Sequence, residues 1–193
     1  IFIDPKVIAN SNPYKENNFY HQKFPAIELN NKSNELVQLR NFIANAPDST
    51  FKAEISSYFN LNDIIDWHIL LLVTNNGDAT TKGFYLYKTA QNSPFKLALW
   101  DYNYSFGRAN NNLAVSPGIL RWQNNTLLNR LVKSNTHDYN ERLKKRFKEL
   151  TESNILTDER IISLVDKNYQ NIKKFAKKNE RRWPVDAPPF FDD

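Results

Sequence analysis

Ile64-Ile65-Asp66-Trp67-His68-Ile69-Leu70-Leu71-Leu72-Val73, then Asn76-Gly77-Asp78, then Phe84-Tyr85-Leu86-Tyr87-Lys88, then Phe95-Lys96-Leu97-Ala98-Leu99-Trp100-Asp101, is the stretch on which the fold turns. The first run carries apolar residues at helical spacing, with Ile65, Ile69, Leu72 and Val73 on the face expected to be central to the core. The two later runs are short and rich in aromatic residues. They are separated by Thr89-Ala90-Gln91-Asn92-Ser93-Pro94, so they read as a β-hairpin. Asp78 follows the helix and Asp101 follows the second strand, each where the chain turns. Two carboxylates at the ends of rigid elements can face one cleft. Phosphoryl transfer uses that arrangement: one carboxylate orients a hydroxyl nucleophile, the other holds magnesium against phosphate. Spacing alone leaves a plainer alternative, in which Asp78 is a turn residue after Gly77 and Asp101 a surface carboxylate.

Outward from this stretch the chain is mainly helical. Residues 1–30 are irregular, with Pro5, Pro13 and Pro25, and Ile1-Phe2-Ile3 reads as the stub of a strand. Leu36, Leu39, Phe42 and Ile43 mark a helix over 34–44, stopped by Pro47. A second helix is expected from a Ser49-Thr50 cap to Tyr58, and a third from an Asn62 cap with Asp63 in its first turn. Residues 102–120 form a long asparagine-rich loop, with Trp100 and Phe106 expected to anchor the Asp101 turn to the core. Helices follow over 125–133 and 138–150. Thr157 caps the last helix, whose buried stripe is expected at Ile161, Leu164, Val165, Asn168, Tyr169, Ile172 and Phe175. Trp183-Pro184 ends it, and 185–193 is a tail.

The chain has 193 residues, enough for one domain, and 40% of them are hydrophobic, which fits a packed globule. No apolar run approaches a membrane span. No signal peptide is visible and the first residue is not Met, so the chain reads as a processed or partial polypeptide. Cysteine is absent, which excludes disulfides, thiol nucleophiles and thiolate metal sites. The net charge of +5 gathers in Lys144, Lys145, Arg146 and Lys148, and in Lys173, Lys174, Lys177, Lys178, Arg181 and Arg182. These read as solvated helix faces, or as a surface that steers an acidic protein partner. Nucleic acid is disfavoured, because no aromatic residues are interleaved for base stacking.

The remaining chemistry is sparse. His21, His68 and His137 are scattered, and His68 reads as packed or hydrogen-bonded. No zinc pair or serine nucleophile elbow exists. Asn76 suits either a residue that shapes the turn before Asp78 or a helix C-cap. Arg108 suits phosphate neutralisation or pairing with Asp101.

Tyr58-Phe59-Asn60-Leu61-Asn62-Asp63-Ile64-Ile65-Asp66-Trp67, Asn76-Gly77-Asp78, Phe84-Tyr85-Leu86-Tyr87-Lys88 and Trp100-Asp101-Tyr102-Asn103-Tyr104-Ser105-Phe106-Gly107 together resemble the spore coat protein H (CotH) kinase family. Arg121-Trp122, Leu127-Leu128-Asn129-Arg130-Leu131 and Asn179-Glu180-Arg181-Arg182-Trp183-Pro184 agree, and the resemblance runs over residues 20–185. It implies an atypical protein-kinase-like α+β fold. The chain would be one partial domain over 1–193: a mainly helical C-lobe with a small hairpin, and little of the N-terminal lobe. It implies transfer of phosphate from ATP, with Mg2+, to hydroxyls of coat or extracellular proteins, in a secreted, cell-surface or spore-coat setting. Asp78 and Asn76 would be the catalytic residues, Asp101 and Asn103 the metal ligands, and Arg108 a nucleotide contact.

The chain also departs from the family pattern. Asn103 stands where an aspartate is common, and Gly83 where many members carry an asparagine that looks like a metal ligand. No glycine-rich phosphate loop or phosphate-pairing lysine precedes Asp78. The rival expectation is therefore a non-catalytic coat, cell-surface or cellulosome-associated module that keeps the fold for binding.

Overall fold

A computed structural model describes residues 24–25, 29–30, 32–80, 83–107 and 122–184. The strand stub at 1–3, Arg108 and the 185–193 tail lie outside the described residues. Among those described, six α-helices and one two-stranded antiparallel sheet make an α+β chain. It clusters into two compact units, 1–144 and 145–193.

The first unit starts with α1 (Ser33–Asn45) and α2 (Asp48–Tyr58). Leu36, Leu39, Phe42 and Ile43 are buried, as their helical period requires. α2 begins directly after Pro47 and has no side-chain cap, so the expected Ser49-Thr50 start is corrected: proline before the first turn sets the entry instead. Phe42 stacks on Tyr58 with ring centroids 4.0 Å apart and on Phe51 at 5.5 Å, locking the two helices together.

α3 (Leu61–Thr74) is capped by Asn60, whose side chain accepts from the Asn62 backbone N–H at 3.0 Å, two residues earlier than expected. Its buried residues include Leu61, Ile64, Ile65, Trp67, His68, Ile69 and Leu71. Leu72 is 45% exposed, so its expected core position is corrected. The helix is enclosed on most sides. A single-stripe reading therefore could not tell the one exposed leucine of its last turns from the buried ones.

β1 (Phe84–Tyr87) pairs with β2 (Lys96–Leu99) in the register Phe84↔Leu99, Tyr85↔Ala98, Leu86↔Leu97 and Tyr87↔Lys96. Phe84 and Leu86 are buried, while Tyr85 and Tyr87 stand on the outer face, the alternation a half-buried sheet demands. Phe84 meets Trp67 of α3 edge-on, with centroids 4.9 Å apart. The other end of the hairpin docks on α2, where the Phe95 N–H donates to the Tyr58 carbonyl at 2.7 Å.

α4 (Thr126–Ser134) supplies Arg130. Its guanidinium donates to the Ile43 carbonyl at 2.8 Å, the Ala46 carbonyl at 2.7 Å and the Asp48 carboxylate at 2.8 Å. It also lies 4.1 Å over the Phe51 ring. One side chain thus satisfies the open carbonyls at the end of α1 and braces the start of α2. α5 (Tyr139–Glu152) begins in this unit with Tyr139 fully buried. The Tyr139 hydroxyl lies 3.1 Å from His68 Nδ1, so His68 is packed and hydrogen-bonded, as read from its neighbours.

The second unit holds the last turns of α5 and the long α6 (Asp158–Arg182). Thr157 caps α6, accepting from the Arg160 N–H at 3.3 Å. The expected buried stripe is corrected: Leu164, Val165, Ile172 and Phe175 are all exposed. Among the described residues of this unit the other helical segment is residues 145–152 of α5, about 12 Å of helix against the ~37 Å of α6. No helix among the described residues is long and apolar enough to cross a membrane.

Candidate functional site

α3 ends on Asn75, whose φ of 48° puts it in the left-handed region. The C-cap role considered for Asn76 therefore belongs to Asn75. Asn76 comes next and is fully buried. Its side-chain oxygen accepts from the Ala79 N–H at 3.0 Å, closing the turn that contains Asp78. Its amide nitrogen donates to Ser105 Oγ at 3.2 Å, and Ser105 Oγ donates to the Tyr102 carbonyl at 2.7 Å. The Phe106 N–H adds a bond to the Thr74 carbonyl at 2.6 Å. The segment before Asp78 and the loop after Asp101 are thus joined at two points.

Asp78 opens a single 3-10 turn, Asp78–Thr80, and is half-buried. Ala79 and Thr80 behind it are buried. Thr80 Oγ1 donates to the Gly77 carbonyl at 2.7 Å, and the Thr80 carbonyl accepts from Asn125 Nδ2 at 2.9 Å. Asn125 is also the N-cap of α4, its side-chain oxygen accepting from the Leu128 N–H at 3.1 Å. One asparagine therefore starts a helix and holds the Asp78 turn from beneath.

Gly83 joins the two aspartate turns from a third side. Its carbonyl accepts from the Trp100 N–H at 2.8 Å. Its φ is 90°, and a Cβ there would lie 2.9 Å from the Trp100 carbonyl oxygen and 3.3 Å from Ala79 Cα. The residue before Asp101 and the residue after Asp78 therefore meet over Gly83. The packing requires glycine here, so this position is a backbone junction and holds no ligand side chain.

Asp101 is exposed, with φ at 54°, a left-handed conformation uncommon for a residue with a Cβ. It ends β2 sharply. Partial burial raises the Tyr85 hydroxyl above its ordinary pKa, and the Asp101 carboxylate nearby raises it further. Tyr85 stands on the outer face of the hairpin, its ring 5.4 Å from that of Trp100, the residue before Asp101. Asn103 is exposed two residues on. The expected anchoring by Trp100 and Phe106 is corrected: they are 58% and 60% exposed. Backbone bonds from their own N–H groups hold the turn instead. Tyr102 is the inward residue. Burial pushes its hydroxyl up to about 12, against a smaller downward pull from the Trp67 indole.

Asp78, Asn76, Asp101 and Asn103 all fall on this joined pair of turns, and Arg108 lies outside the described residues. Among the described residues no group of three His, Cys, Asp or Glu side chains could hold a metal. Asp101 and Asn103, both exposed, carry one carboxylate and one amide oxygen, hard donors of the kind magnesium takes. Sequence reasoning missed Ser105, Thr80 and Asn125 as supports of the site. Asn125 was read only as the first residue of a helix; the other two gave no signal.

The sequence profile described as CotH kinase protein matches residues 5–187. Inner spore coat protein H of Bacillus subtilis (strain 168) is 26% identical over 146 residues, covering 72% of this chain. The chain spans 39% of that protein's length. No solved structure matches. A profile match across nearly the whole sequence places this chain in the CotH kinase protein family.

Proposed function

We propose that this chain carries the carboxylate half of a kinase-like site that transfers phosphate from ATP to protein hydroxyls. Asp78 orients the hydroxyl nucleophile and takes its proton. The hydroxyl oxygen forms a bond to the γ-phosphorus, the bond from that phosphorus to the β–γ bridging oxygen breaks, and ADP leaves. Asp101 and Asn103 would hold magnesium, which when bound neutralises charge on the phosphates. Asn76 positions the Asp78 turn without touching substrate. Arg108 is assigned to the nucleotide phosphates. The covering loop and phosphate-pairing lysine would come from the rest of the polypeptide, and the chain alone would transfer weakly.

The observation that supports this reading is the meeting of the two aspartate turns over Gly83, with Asn76 and Ser105 bridging them again. A coat-associated location is proposed from the relative's name. A second reading, a binding module that keeps the fold, is favoured by Gly83, whose packing leaves no room for a ligand side chain.

The test is transfer of labelled γ-phosphate to a serine-rich protein by the complete polypeptide. Asp78→Asn should cut the rate by about 10²-fold or more, and Asp101→Ala should abolish magnesium-dependent nucleotide binding while the fold survives. Undiminished transfer by Asp78→Asn would overturn the assignment. No transfer by the folded, complete wild-type polypeptide would favour the binding module.

A further inference from the structure

At the turn end of the hairpin, away from Asp101, lies an open cleft of about 300 Å³ between α1, the end of α2 and the turn itself. That is near the lower size limit of small-molecule sites. Its floor is fixed, because the Phe95 N–H donates to the Tyr58 carbonyl there. Its outer wall is fixed too. Ser93 Oγ accepts from the Thr89 and Ala90 N–H groups at 3.1 Å each and donates to the Ala90 carbonyl at 2.9 Å. The residues at the tip of that turn are thus held by a saturated hydroxyl.

The lining decides the ligand chemistry. Lys88 reaches into the cleft but is ion-paired with Glu35 at 3.2 Å. Glu35 is shared with Lys32 at 3.1 Å. Burial alone would raise the Glu35 carboxyl, yet the two lysines hold it below its ordinary value, so it stays ionised and matched. The cleft therefore offers neither spare positive charge for a phosphate nor spare carboxylate for a cation. Its remaining polar groups are the amides of Gln38, Gln91 and Asn92. None of the three makes a side-chain hydrogen bond among the described residues, so each keeps donors and an acceptor for a ligand. Tyr58, backed by Phe42, adds an aromatic surface.

We infer that this cleft binds a neutral saccharide, a second site separate from the aspartate turns. Primary amides give paired donors and acceptors that match vicinal hydroxyls, and an aromatic ring suits the apolar face of a sugar. An extended peptide is the weaker fit, because strand addition needs free backbone groups and the Phe95 N–H is already committed to the Tyr58 carbonyl.

The experiment is amide-detected NMR titration of the whole chain with cellobiose and with diacetylchitobiose. A serine-glycine octapeptide serves as the comparison. Saturable shifts of the Gln38, Gln91 and Asn92 side-chain amides with a disaccharide are expected. The double variant Gln91→Ala, Asn92→Ala should bind about tenfold more weakly or worse, as expected when two neutral hydrogen bonds are lost. Its melting temperature should be unchanged, since those amides make no hydrogen bond within the chain. Absence of shifts with both sugars, shifts with the octapeptide alone, or equal affinity in the double variant would each overturn the proposal.

Discussion

Asn76 Nδ2 donates to Ser105 Oγ at 3.2 Å across 29 residues of chain, so the turn before Asp78 and the loop after Asp101 form one hydrogen-bonded body. Asn76→Ala removes this donor and also strips the buried Ala79 N–H of its acceptor. An unsatisfied buried donor costs roughly 1–3 kcal/mol. Urea unfolding should show that loss. Ser105→Ala should cost less, and the double variant should fall short of the sum because the pair is coupled. Strict additivity would show that the contact carries no energy.

Gly83→Ala should destabilise by about 2 kcal/mol or more, because a Cβ meets the Trp100 carbonyl and the positive φ disfavours it. Thermal unfolding checks this. A variant as stable as the parent would show that the junction between the two turns relaxes freely.

Leu71→Ala and Leu72→Ala separate enclosed from exposed on one helix. Leu71 is fully buried and Leu72 is 45% exposed. The first change should cost about 2–5 kcal/mol and the second less than about 1 kcal/mol. Equal costs would mean that Leu72 is covered in solution.

The His68 imidazole is buried, and burial lowers its pKa from 6.5 to about 4. Its Nε2 has no partner among the described residues, so a proton there would be a buried, unsatisfied charge. The unfolded chain binds this proton at higher pH than the folded one does. Stability is therefore complete above pH 6.5 and falls as pH drops toward 4. The loss between pH 7 and pH 5 should be on the order of 2 kcal/mol. Urea midpoints measured across that range test it, and midpoints independent of pH would contradict a neutral buried His68.

Arg130→Lys keeps the charge but loses the planar fork that reaches two carbonyls and Asp48 at once. A loss of about 2–3 kcal/mol is expected in chemical unfolding. A neutral result would mean that water satisfies the end of α1 as well as the guanidinium does.

Local chemistry was legible in the sequence. Thr157 caps a helix because a short polar side chain satisfies open N–H groups, a rule that spans only three residues. The hairpin was legible from Phe84 and Phe95 for the same reason of range. Long-range closure was not. Nothing near Ser105 marks it as a partner of Asn76, and Asn125 carries its second bond, to Thr80, 45 residues away. Burial of apolar groups was misjudged where neighbours decide it. The α6 stripe and Trp100 are apolar in sequence but exposed in the structure. The roles proposed for Asp78 and Asp101 rest on resemblance, since a carboxylate at a turn has many uses.

Arg130 also has a consequence in time. The carbonyls it clamps, at Ile43 and Ala46, leave the ribosome more than eighty residues before it does. At about 5–20 residues per second that interval lasts several seconds. During it the nascent α1 and α2 are a helical pair whose junction has no guanidinium to close it. Chaperone contact in the cell should therefore concentrate on nascent chains in which α2 has left the ribosome and α4 has not, and should drop once α4 has emerged.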